Sequence, residues 1–189
     1  CALPILSIDS LKELPKYIIK RYEELKLLEP KEKQPEKVEA KETVQENLFK
    51  NIDVDKLSRR LEKKIEVNGM KVDSFEDLNS DGKVFYYSTI NGNKNEIITI
   101  NYENLTPTAI VGKVTGKDES NMETFRKLSL SVIMASDTKL TDEDAQIIYE
   151  ELLNKLENAT SSTVVTKNNL TYGIEVIFGT EDELIIYAK

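Results

Sequence analysis

Residues 120–157 read SNMETFRKLSLSVIMASDTKLTDEDAQIIYEELLNKLE, and the spacing of apolar residues in this stretch decides the fold class. Met122, Phe125, Leu128, Val132 and Ala135 recur every three or four positions, which lines one face of a helix. The pattern breaks at Ser136-Asp137-Thr138-Lys139 and restarts at Ala145, Ile148, Tyr149, Leu152 and Leu156. Thr141 is placed to cap the second helix, with Asp142, Glu143 and Asp144 at the positive end of its dipole. Leu140, just before the cap, can staple against Ala145. Neither helix holds its apolar stripe in water alone, so both must lie on something.

Strand-like runs flank the pair. Before it come Val84 to Ile90, Ile97 to Tyr102 and Thr108 to Val114, separated by turn chemistry of hairpin length. After it come Thr163 to Thr166, Thr171 to Phe178 and Glu183 to Ala188. Tyr172, Ile174, Val176 and Phe178 point one way while Thr171, Gly173 and Glu175 point the other, so the sheet is expected to have one wet face. The order β-β-β-α-α-β-β-β predicts an α+β domain, an antiparallel sheet of about five to six strands with helices packed on one face.

Upstream, Val54, Leu57, Leu61 and Ile65 mark a further amphipathic helix. Asn68-Gly69 either ends it as a left-handed cap or turns a tight hairpin between Ile65-Glu66-Val67 and Met70-Lys71-Val72; the favoured reading is a helix ending before Asn68 and a short strand after it. Ser10 can cap a helix through Leu28 with Pro15 in its first turn and Leu14, Ile18, Tyr22 and Leu25 as its stripe. Glu29 to Glu46 is rich in Pro, Lys and Glu and reads as a solvated linker. The expected organisation is an amphipathic N-terminal segment over 1–28, a charged linker over 29–46 and an α+β domain over 47–189.

Composition excludes several chemistries. The chain has no histidine, so the commonest general base, the commonest zinc ligand and every Ser-His or Cys-His pair are gone. Residues 67–189 hold 11 Lys/Arg against 20 Asp/Glu, a balance that repels phosphate backbones, so nucleic acid is not an expected partner. No apolar run approaches the roughly 18 residues of a membrane span. The only cysteine, Cys1, cannot form a disulfide within the chain. Cys1-Ala2 suits the lipid-bearing residue of a mature bacterial lipoprotein, which would tie the chain to a membrane. A remnant of a signal peptide's apolar core competes with that reading, because Ala2 to Leu6 is apolar where a tether is normally polar.

The sharpest local motif is Asp77-Leu78-Asn79-Ser80-Asp81-Gly82. Oxygen ligands at Asp77, Asn79 and Asp81 followed by glycine match the first half of an EF-hand-type calcium loop, and Val84 falls where an apolar residue belongs. The second half fails: Ser88 replaces the bidentate carboxylate and a strand follows where a helix should. Acid pairs such as Glu150 with Glu151 suit a solvated helix face better than acid–base work. Tyrosines on the predicted strands pack in a core or on a sheet by default, and Tyr86, Tyr102 and Tyr187 are the candidates for an exposed binding face.

Residues 81–189 resemble small secreted or lipid-anchored proteins of Gram-positive bacteria with no assigned activity. The resemblance lies in the layout: a strand meander, then LSLSVIMASDTKLTDEDA through LLNKL, then NLTYGIEV and a final strand. It implies an extracytoplasmic place and carries over no catalytic residue. The expectation is a non-catalytic module, without cofactor, that binds a protein or surface component and is held at the membrane through Cys1. Two alternatives stand beside it. One is an enzyme using carboxylates or a divalent metal near Asp77 to Asp81; the other is a structural or inhibitory protein whose N-terminal helix inserts into a partner.

Overall fold

The computed structural model describes residues 49, 52–80, 83–116 and 118–189. They belong to the second of two units into which the chain divides, Asn47–Lys189. The helix expected over 10–28, the linker expected over 29–46, Cys1 and Asp81 lie outside the described residues.

Each helix begins where a side chain can take an orphan amide. The first, α1 (Val54–Val67), is capped by Asp53, which accepts from the Lys56 amide. The second, α2 (Glu119–Ser136), is capped by Asp118, which accepts from Asn121 N. The third, α3 (Asp142–Leu156), starts at Thr141 as its sequence predicts. A reciprocal box forms there: Asp144 N donates to the Thr141 hydroxyl and Thr141 N donates to the Asp144 carboxylate. The far end of α1 closes with Gly69 N donating to Glu66 O and Met70 N to Ile65 O, a Schellman ending. The helix-cap reading of Asn68-Gly69 is therefore the observed one. The short strand expected after it is reduced to a single bridge, Val72 to Ile90.

The sheet is fully antiparallel. Its strands are β1 (Glu76–Ser80), β2 (Lys83–Ile90), β3 (Asn93–Glu103), β4 (Thr106–Thr115), β5 (Ser162–Lys167), β6 (Leu170–Ile177) and β7 (Glu183–Ala188), in the spatial order β1-β2-β3-β4-β7-β6-β5. The α+β expectation holds, with seven strands where about five to six were read. The added strand is β1, whose Glu-Asp-Leu-Asn-Ser is too polar and short to signal itself; it forms because β2 offers it a regular register. Three hairpins turn on two residues of positive φ: Asn91-Gly92, Asn104-Leu105 and Asn168-Asn169. Their twist matches that of the flanking strands. Leu105 has no such preference of its own, and its carbonyl there accepts from the Val54 amide at the start of α1.

The three helices cover one face. Ile98, Gly112, Ile186, Ile174 and Thr163 are successive neighbours across β3-β4-β7-β6-β5 and are all buried; so are Ile100, Ile110, Ala188, Tyr172 and Val165 in the next row. The helix α2 presses closest. A Cβ on Gly112 would lie 2.9 Å from Leu128 Cγ, so a side chain there would push the helix off β4. Every residue of α2 from Ser131 to Ser136 is buried, because α1, α3 and the sheet enclose that end. Its serines stay satisfied: Ser129 bonds the Phe125 carbonyl, and Ser131 takes the Asn68 side-chain amide while lying 2.8 Å from the Lys127 carbonyl. Asp137, buried just past α2, accepts from Lys139 N and from Asn168 Nδ2, tying the interhelical turn to the β5–β6 turn.

Candidate functional site: the open face of the sheet

The face turned away from the helices was expected to be wet, and its middle is not. Cross-strand neighbours run Tyr87, Thr99, Val111, Tyr187, Gly173 and Val164 from β2 to β5. The adjoining row runs Thr89, Ile97, Lys113, Ile185, Glu175 and Ser162. Tyr87, Val111, Tyr187, Ile97 and Ile185 are half-buried, shielded by one another and by no helix among the described residues. Charge enters within the second row, where Lys113, between Ile97 and Ile185, pairs with Glu183 at 2.9 Å. The antiparallel alternation produces this directly: Ile97-Ile98 and Ile185-Ile186 place one branched side chain on each face.

Tyr187 is the anchor of the row. Its ring lies flat over Gly173, whose missing side chain makes the space, and Lys189 Nζ sits 5.1 Å from the ring centroid. Burial, with the nearby Glu175 carboxylate second, raises its pKa above the ordinary tyrosine value. Such a ring contributes area at little entropic cost when a partner covers it.

The three tyrosines singled out from sequence do not form one surface. Tyr86 and Tyr102 stand on the helix side, with ring centroids 5.5 Å apart and edge to face. The Tyr86 hydroxyl donates to Asp55 in the first turn of α1, and the Tyr102 hydroxyl donates to Asp77 on β1, both at 2.7 Å. These carboxylate bonds are the main cause of phenol pKa values pushed up to about 12. The cluster fastens α1 and β1 to the sheet. Only Tyr187 belongs to the open face, joined there by Tyr87, Val111, Ile97 and Ile185. Sequence reasoning missed Val111, Ile97 and Ile185 because it sought one apolar face per strand.

Of the calcium-loop residues, Asp77 and Asn79 are described and Asp81 is not. Asp77 and Asn79 lie on extended β1 backbone paired with Tyr86 and Val84, and the Asp77 carboxylate is engaged by Tyr102. Among the described residues no group of three or more acidic or cysteine side chains converges as a metal would require. The acid pair of α3 is also separately engaged: Glu150 accepts from Gln146, and Glu151 pairs with Lys155 at 3.0 Å. No described helix is long and apolar enough to cross a membrane.

No family model, curated protein or solved structure matches this chain.

Proposed function

We propose that the domain is a non-catalytic binding module whose open sheet face receives a protein partner with an apolar patch and a basic rim. The observation that carries this is the half-exposed row Tyr87–Val111–Tyr187 with Ile97 and Ile185 beside it. Clustered apolar side chains on an open face, here interleaved with Thr99 and Lys113, are the usual mark of an interaction surface, and tyrosines among them are enriched where binding energy concentrates. The acidic balance of residues 67–189 favours a basic rim on the partner.

A photo-reactive side chain at Val111, compared with one at Glu150 on the solvent side of α3, tests the reading in native cell envelopes. A discrete cross-linked product from position 111, absent from position 150 and lost with Tyr187→Ala, supports it. Products of equal yield from both positions, or none from position 111, overturn it.

An extracytoplasmic location, with the chain held at a membrane by lipid on Cys1, belongs to the same proposal and has its own test. Intact mass spectrometry of the native protein reads it directly: a diacylglycerol adduct supports the anchor, and an unmodified thiol removes it.

A further inference from the structure

The sheet ends at β5, and no described residue pairs with the outer side of that strand. The Val176 amide donates to Ser161 O, which fixes the alternation along the strand. Thr163, Val165 and Lys167 turn their backbone groups toward β6, while Ser162, Val164 and Thr166 turn theirs outward. The Val164 carbonyl does point away from the sheet, because Lys155 Nζ reaches it at 3.3 Å. Natural sheets guard such an edge with proline, a bulge, an inward charge or extreme shortness. At the opposite end β1 follows this practice, with five residues that include Glu76 and Asp77. The β5 sequence, STVVTK, carries one guard, Lys167 at its inner end, and leaves its middle open: there is no proline, the register with β6 is unbroken over all six residues, and Val164 is 48% exposed.

We propose that the β5 edge pairs antiparallel with β5 of a second copy of this chain, about a two-fold axis at Val164. That register sets Val164 against the second copy's Val164 and Ser162 against its Thr166, both favourable cross-strand combinations. The helices agree. α3 packs over β5 and β6, and strands about 4.8 Å apart put α3 and its symmetry mate about 10 Å from each other, a normal helix-packing distance. Glu151 and Lys155, one turn apart on α3, lie on its edge side, since Lys155 reaches Val164. Two-fold symmetry brings each Glu151 to the other copy's Lys155. Lys155 then yields the Val164 carbonyl to the incoming Val164 amide. A foreign acidic strand would satisfy Lys155 and leave Glu151 opposed; a copy of the same surface satisfies both, as an isologous contact requires.

Sedimentation velocity of the full chain over a wide concentration range tests this. The expected result is a species of twice the monomer mass that Val164→Lys converts to monomer, because like charges then meet across the axis. Leu78→Lys, exposed on the opposite edge strand, should leave the dimer intact, with far-UV circular dichroism unchanged in both variants. Lys155→Glu should weaken association, and Glu151→Lys combined with Lys155→Glu should restore it. Hydrogen exchange at the Ser162, Val164 and Thr166 amides should slow as concentration rises. A wild-type chain that is monomeric at its highest soluble concentration overturns the proposal. So does a dimer that survives Val164→Lys, or one lost equally in Leu78→Lys. Edge amides that exchange slowly in a monomer also overturn it, since they would be covered without a second copy.

Discussion

The ring of Tyr187 occupies the place where a side chain at position 173 would begin: a Cβ on Gly173 would fall 2.2 Å from Tyr187 Cζ. Gly173→Ala must therefore swing the ring away from β6 and out of the open row. The tyrosine is a movable side chain, so the expected cost is about 1 kcal/mol, the low end for an overpacked site. In a Tyr187→Ala background the same change should cost nearly nothing. Urea unfolding of the four proteins of this cycle measures the coupling, and equal costs in the two backgrounds would show that the ring is not what excludes a side chain.

Phe125 and Leu152 sit mid-stripe in α2 and α3, with 2% and 0% of their surface exposed. Truncating either to Ala should cost about 2–5 kcal/mol. Glu151, beside Leu152 in sequence, has a side chain 48% exposed and pairs with Lys155 one turn along its own helix. At concentrations where the chain is monomeric, Glu151→Ala should shift stability by no more than about 0.5 kcal/mol. Chemical denaturation of the three variants settles the order, and a costlier Glu151→Ala would show the face of α3 to be misassigned.

Calcium should leave the melting temperature where it is. Asp77 already accepts from the Tyr102 hydroxyl, and Ser88 stands at the twelfth position where a bidentate carboxylate is needed. A rise of several degrees in millimolar calcium, as linkage demands of a ligand well above its dissociation constant, would refute this.

The fold should be weak to alkali. Tyr86, Tyr102 and Tyr172 have phenol pKa values pushed up to about 12, the first two chiefly by carboxylate hydrogen bonds and the third chiefly by burial. Burial raises Tyr149 as well. A phenol with a raised pKa holds its proton more tightly folded than unfolded. The stability it contributes is whole below the unfolded value of 10.0 and drains away as pH rises through about 12. Tyrosinate absorbance should therefore rise in two phases, the later one together with loss of far-UV ellipticity. A single phase centred near pH 10 in a still-folded protein would contradict the hydrogen bonds drawn here.

The helix pair was legible to within a residue or two because its signals are local: periodic apolar positions and a capping threonine. The hairpins after β2 and β5 announced themselves through Asn-Gly and Asn-Asn. β1 was not legible, since its pairing with β2 and the bond from Tyr102 to Asp77 join residues far apart in sequence. Phe178 was read as continuing the buried side of β6, yet the strand stops at Ile177 and Phe178 is exposed. The candidate site was legible only in part. Alternation assigns a residue to a face, but which strands lie side by side decides whether Tyr187 meets Val111 or Tyr86, and that is a property of topology.

The strand order also governs the order of assembly. β7, the last of the seven strands along the chain, is inserted between β4 and β6. As synthesis proceeds, β1–β4 and β5–β6 can form only as two separate ribbons, each with a raw edge, and α2 has half a floor to lie on. The two ribbons thus stay unjoined until the closing strand arrives, and the sheet is completed in one long-range step.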